Sequence, residues 1–258
     1  MKKKKIYLQL IIIGLIALFF AVKVNAAPLI STTKDGISIG TSQNPKDVAS
    51  SIEILMALTV LALAPSILIM MTSFTRIIII LSFLRNALGT QQMPPNQVLI
   101  GLALFLTLFI MTPVGTRINN EAFQPYANGK ISQKIALDKS SQLIKGFMLD
   151  QFRDGNQKDL ELFVKLAKIK TPVKPVDLPL YVVIPAFLIN ELTIAFQVGF
   201  LIFIPFLIID MIVSSTLMSM GMMMLPPVMI SLPFKILLFM MVNGWGLIVQ
   251  TIIGTFRF

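Results

Sequence analysis

Five charged side chains, Arg76, Arg85, Glu191, Asp210 and Lys235, stand within or beside long uncharged runs. An ionisable group in the middle of a membrane helix costs at least ~2.5–3.5 kcal/mol, so each calls for a charged partner or a watery cavity. The chemistry open to them is narrow. The chain has no Cys and no His, which removes thiolate nucleophiles, imidazole acid–base catalysis and most transition-metal sites. Ser214, Ser215 and Lys235 come nearest to a hydrolase but lack the spacing of an activated dyad. No Gly-Lys-Ser/Thr phosphate loop is present. No catalytic residue, cofactor site or metal site is therefore assigned, and the chain is not expected to be an enzyme.

If the charges do no catalysis, they join helices. Glu191 and Lys235 lie 32 and 12 positions from a turn near Met223, so they are not level within one hairpin. A salt bridge between neighbouring copies, with helices offset, removes that difficulty and predicts a homo-oligomer. The alternative is that Lys235 snorkels to an interface while Glu191 faces water. Asp210 and Arg85 offer a second network. Methionine is the other concentration: seven of 16 fall between Met211 and Met229, and Met222, Met223 and Met224 are consecutive. Three consecutive side chains cannot share one helix face. Beside Gly221 and Pro226 they suit either a yielding apolar plug in a loop or ordinary packing filler.

The elements that hold these residues are set by composition. Hydrophobic residues make up 55% of the 258 and charged residues 13%, far from soluble proportions. Residues 1–26 read as a cleavable signal peptide: Lys2 to Lys5, an apolar run over 6–22, and a small-residue end at Ala26. Cleavage removes five lysines and takes the formal charge from +10 to +5 (10 − 5). The basic balance is then a targeting device, and no nucleic-acid partner is expected.

Residues 27–47 form an external tail. The stretch 48–115 is a first apolar helical hairpin, with Pro65 predicted to kink its first helix between Glu53 and Arg76. Residues 116–178 hold 18 of the 34 charges. There Leu143, Ile144, Phe147 and Met148, then Leu160, Phe163, Val164 and Ala167, recur at helical spacing. They predict two amphipathic helices outside the bilayer. The stretch 179–258 is a second apolar hairpin, kinked at Pro205, turning over 221–227 and closing with one long helix. The fold class is thus an all-α membrane protein, two kinked apolar hairpins flanking an external amphipathic helical segment. A stand-alone transporter or channel would also fit this pattern.

Particular residues narrow the choice. Pro185-Ala186-Phe187, Glu191-Leu192, Ala195-Phe196-Gln197 and Gly199-Phe200 form one group, and Pro233-Phe234-Lys235, an apolar run and Asn243-Gly244-Trp245 another. With Arg85-Asn86-Ala87-Leu88-Gly89-Thr90-Gln91 and Pro94-Pro95-Asn96-Gln97, this sequence resembles the FliP family of type III export proteins over nearly all of its mature length. Asn190 and Val198 depart mildly from the family pattern.

The resemblance implies a pore-forming subunit of the flagellar export gate. Such a gate sits in the bacterial cytoplasmic (inner) membrane at the flagellar basal body and conducts unfolded flagellar proteins. The implied partners are further FliP copies in a homo-oligomeric ring, a pentamer by the family's pattern, then FliQ, FliR, other export subunits, membrane lipid and the cargo. Its Met-rich gasket falls on Met222, Met223 and Met224, and its embedded acid and base on Glu191 and Lys235. It further implies hairpins wound into a cone lifted largely out of the bilayer. Virulence secretion gates are the neighbouring alternative; their subunits generally lack a signal peptide and much of the external segment.

Overall fold

A computed structural model describes residues 28–33, 36–41, 45–90, 93–152, 157–169, 174–222 and 226–257. The expected signal peptide, Met223 and Met224 lie outside the described residues. The chain divides into two units, one ending at Pro65 and the other starting at Ser66.

The first unit holds a short antiparallel hairpin of β1 (Pro28–Thr33) and β2 (Gly36–Thr41), in register from Pro28 opposite Thr41 to Thr33 opposite Gly36. The expected tail over 27–47 passes over its signal, Asp35-Gly36 followed by the alternation Ile37-Ser38-Ile39. Helix α1 (Pro45–Met71) follows and carries Pro65 within it.

Among the described residues of the second unit every regular element is helical, as the fold class requires. Its elements are α2 (Phe74–Leu88), α3 (Asn96–Ile118), a π turn (Asn119–Phe123) and α4 (Gln124–Ala127). Then come α5 (Gln133–Asp150), α6 (Lys158–Leu166), α7 (Leu180–Ser219), α8 (Pro227–Met241) and α9 (Gly244–Gly254). Expected and observed elements differ at two further places. The helix between Glu53 and Arg76 stops at Met71, so Arg76 sits in the first turn of α2 instead of closing a span. The last helix is broken: α8 and α9 meet at 69°. Prolines do not cause that break, since α7 continues through Pro185 and Pro205 and α8 through Pro233. Asn243, left-handed at φ 50°, does, because one residue in that conformation redirects a helix and Asn tolerates it.

The core forms where α2 lies along α7. Ile77, Ile80, Leu81, Leu84, Ala87 and Leu88 make one stripe of α2, at the spacing that keeps side chains on one helix face. Val183, Ala186, Phe187, Ile194 and Ala195 answer from α7. Gly199 matters here: a Cβ on it would lie 2.6 Å from the ring of Phe83. Phe83 also meets Phe196 edge to face at 5.2 Å. Helix α2 ends on Gly89 at φ 74°, whose N–H bonds back to Asn86, the left-handed termination glycine permits.

The two amphipathic helices of the charged segment are α5 and α6, buried through Phe147 and Met148 and through Leu160 and Val164. Ser132 caps α5 by accepting from the Ile135 N–H.

Among the described residues, the runs Asn96–Ala127 and Leu180–Ser219 are each long and apolar enough to cross a membrane, and α8 with α9 adds a third if the bent pair counts as one. At 1.5 Å per residue the 40 residues of α7 span roughly 60 Å, about twice the hydrocarbon thickness. Outward faces are apolar too: Phe105, Leu108, Phe200, Leu201, Met211 and Met241 are all exposed, which marks a surface covered by lipid or by other chains.

Candidate functional site

Two ion pairs tie the second unit together. At the first, Arg76 of α2 and Glu191 of α7 are both 0% exposed. Arg76 Nε donates to Glu191 Oε2 at 2.8 Å and Nη2 donates to Oε1. Nη1 donates to the carbonyl of Thr255 at 2.7 Å and to Thr255 Oγ1 at 3.2 Å. The guanidinium carbon stands 3.9 Å from the centre of the Phe256 ring. Forked geometry of this kind matches a carboxylate with two parallel bonds. Nη1, the nitrogen outside the fork, is answered by Thr255, as a buried charge requires.

At the second pair, Lys235 of α8 donates to Asp210 Oδ2 of α7 at 2.6 Å and to the carbonyl of Ala87, in the last turn of α2, at 3.1 Å. Ser231, one turn before Lys235, donates to Asp210 Oδ1 at 2.5 Å. A cation beside the C-terminal carbonyls of α2 is also favoured by the helix dipole. Lys235 is buried, whereas the Asp210 side chain keeps 29% of its surface open.

Glu191 and Lys235 are thus each satisfied within their own chain, and not by one another. The reason is visible in the hairpin: Asp210 lies 12 residues before Met222 and Lys235 13 after it, so these two are level across the α7–α8 turn. The level-pair rule that separates Glu191 from Lys235 selects Asp210, and the sequence held that signal. Glu191 takes Arg76 because α2 packs along α7, which no spacing within either hairpin announces. Arg85 does not join Asp210; it donates to Asn96 Oδ1 across the turn between α2 and α3.

Besides Ser231 of the second pair, the buried polar residues Gln151 and Asn190 were not singled out by the sequence as members of the site. Gln151, after α5, exchanges hydrogen bonds with the backbone of Arg257, and Asn190 Nδ2 donates to the Gln151 carbonyl at 3.3 Å. The threonines inside the apolar helices form no polar site of their own. Thr107, Thr112, Thr193 and Thr251 each bond the carbonyl four residues back, which satisfies a hydroxyl without a partner helix. Among the described residues no group of three potential ligands could hold a metal ion. Met222 is described and exposed; it follows Gly221, left-handed at φ 73°.

Long apolar helices, outward apolar faces and charges neutralised between helices define a polytopic helical membrane protein. The sequence profile of the FliP family matches residues 57–252, and the chain belongs to that family. It is 58% identical to the flagellar biosynthetic protein FliP of Bacillus subtilis over 220 residues, 85% of this chain and 98% of the relative. The protein of the same name from Aquifex aeolicus is 51% identical, over 82% of this chain and 88% of its own. That of Caulobacter vibrioides is 43% identical, over 95% and 91%.

Proposed function

We propose that the chain is a pore-forming subunit of the flagellar type III protein export gate in the bacterial cytoplasmic membrane at the flagellar basal body. Copies of it form a ring with FliQ, FliR and other export subunits, and unfolded flagellar proteins are the cargo. The family match and the relatives, all named for flagellar biosynthesis, support this reading over a virulence secretion gate or a stand-alone transporter.

The structural observation that carries it is the pairing of α7 with α8 through Asp210, Ser231 and Lys235, with Asp210 and Lys235 lying 12 and 13 residues either side of Met222. Met223 and Met224 follow Met222 in the sequence. Three unbranched, polarisable side chains in that run fit a gasket that closes on itself and yields to varied sequences. The function assigned is passive, with no catalytic step by this chain. Residues 1–26 act as the cleaved signal, and 116–178 lie on the outer face. An intersubunit bond between Glu191 and Lys235 would require both intrachain pairs to open on assembly.

The test replaces Met222, Met223 and Met224 together with Ala in the purified gate complex reconstituted into vesicles. Conductance to ions and small solutes is expected to rise about tenfold or more, as loss of a hydrophobic constriction admits water. Conductance equal to that of the unsubstituted complex overturns the gasket.

A further inference from the structure

Helix α6 carries two apolar stripes, and only one of them is covered by the chain. Leu160 and Val164 are buried where α6 packs on α7, and they share a groove with Pro175 and Leu178, just before α7 begins at Leu180. On the opposite side of the helix, Leu162 and Leu166 stand one turn apart and are both exposed, Leu166 by 67%. Lys158 and Lys165 flank them on the same outward side, and Lys168, just past the helix, is exposed as well. Glu161 is the one exposed acid beside them. None of these four charges belongs to an ion pair among the described residues. Leucines edged by lysines suit a helix lying in a membrane interface, with apolar side chains at the acyl boundary and ammonium groups at the phosphates.

The place of α6 in the fold agrees. The runs Asn96–Ala127 and Leu180–Ser219, each able to cross a membrane, flank the charged segment. Tyr126 stands at the end of the first run and Tyr181 at the start of the second, both exposed and Tyr181 by 68%. They are both of the tyrosines among the described residues. A ring with a polar tip is enriched where hydrocarbon gives way to headgroups, so the two mark one boundary, at the end of α7 on which α6 is packed. Charge points the same way: residues 116–178 hold eleven Lys and Arg against seven Asp and Glu, a net of +4 (11 − 7). Lysine is depleted where protein chains meet, whereas an anionic bilayer attracts it. The composition of this face therefore selects lipid over a second copy of the chain.

We propose that α6 is an interfacial helix that docks on the anionic headgroups of the bilayer. Leu162 and Leu166 insert below the phosphates, and Lys158, Lys165 and Lys168 lie against them. The charged segment is then held on the membrane surface beside the start of α7, not suspended in water above it. This docking needs a bilayer but neither a ring nor cargo, so its failure leaves the export reading untouched.

The chain has no cysteine, so Leu166→Cys gives the full-length protein a single site for a bimane fluorophore. In vesicles, lipid carrying a nitroxide just below its headgroup is expected to quench the probe, and aqueous iodide is not. Labelled phosphatidylglycerol should quench about fivefold more than labelled phosphatidylcholine, the scale of one lysine near an anionic surface. Lys158→Gln, Lys165→Gln and Lys168→Gln together should bring the two lipids to parity. All four positions are exposed, so the core is left intact. Quenching by iodide and not by lipid puts α6 in water and overturns the docking. Protection from both quenchers means that another chain covers Leu166, which overturns it equally. Equal quenching by the two lipids with the lysines in place overturns the preference for anionic headgroups.

Discussion

The two ion pairs answer the same problem in different surroundings. Arg76 and Glu191 are sealed, forked and capped by an aromatic ring; Lys235 is sealed, but Asp210 touches the outside. A sealed pair must be complete, because removing one member leaves an uncompensated charge that nothing can hydrate. In the second pair the open end belongs to Asp210, so water can enter beside Lys235 when that carboxylate is lost, while Lys235 keeps the Ala87 carbonyl. The first pair fixes α2 to α7 and to the segment after α9. The second joins α7 to α8 and, through the Ala87 carbonyl, to the end of α2.

Exchanging charges across the pairs gives the largest expected effect. Glu191→Lys together with Lys235→Glu places a Lys against Arg76 and a Glu against Asp210. Folded protein should be lost, at a cost above ~5 kcal/mol, since each site then holds like charges where even a missing partner costs 3–5. Recovery of a monodisperse, assembled protein by this double variant would break the comparison and restore a direct Glu191–Lys235 bond between copies.

Arg76→Met alone comes next. It strands Glu191 and should destabilise by about 3–5 kcal/mol, read as a lowered midpoint in the fluorescence of the lone Trp245. Adding Glu191→Met should recover most of that loss, because an apolar pair of similar volume removes the desolvation problem. A double variant no better than the single one would show that the pair itself, not the bare carboxylate, matters.

Asp210→Asn is the smallest. Asn retains an acceptor for Ser231, and Lys235 keeps the Ala87 carbonyl, so a loss of roughly 1–2 kcal/mol in the same melting measurement is expected. An effect as large as that of Arg76→Met would erase the distinction between the sealed and the open pair.

The sequence by itself determined the helical membrane class, the place of the charged segment with its two amphipathic helices, and the family. These depend on composition, period and local motif, which act over a few turns. The elements that made Asn243-Gly244-Trp245 recognisable became intelligible only in three dimensions: a left-handed residue, a glycine under Phe239 and an indole on the same ring. Prolines suggested kinks, yet the sharp bend falls at Asn243, because a helix packed on its neighbours can absorb a missing hydrogen bond but not a reversed backbone dihedral. The Asp210–Lys235 pairing was legible in the spacing about Met222, whereas tertiary structure alone decided that Glu191 meets Arg76. Arg76 and Glu191 are 115 residues apart, and their meeting follows from α2 lying along α7, a contact made by packing area that no periodicity within either segment encodes. The same packing brings Gln151 and Arg76 to Thr255–Arg257, joining in space residues whose spacing in the chain carries no shared signal.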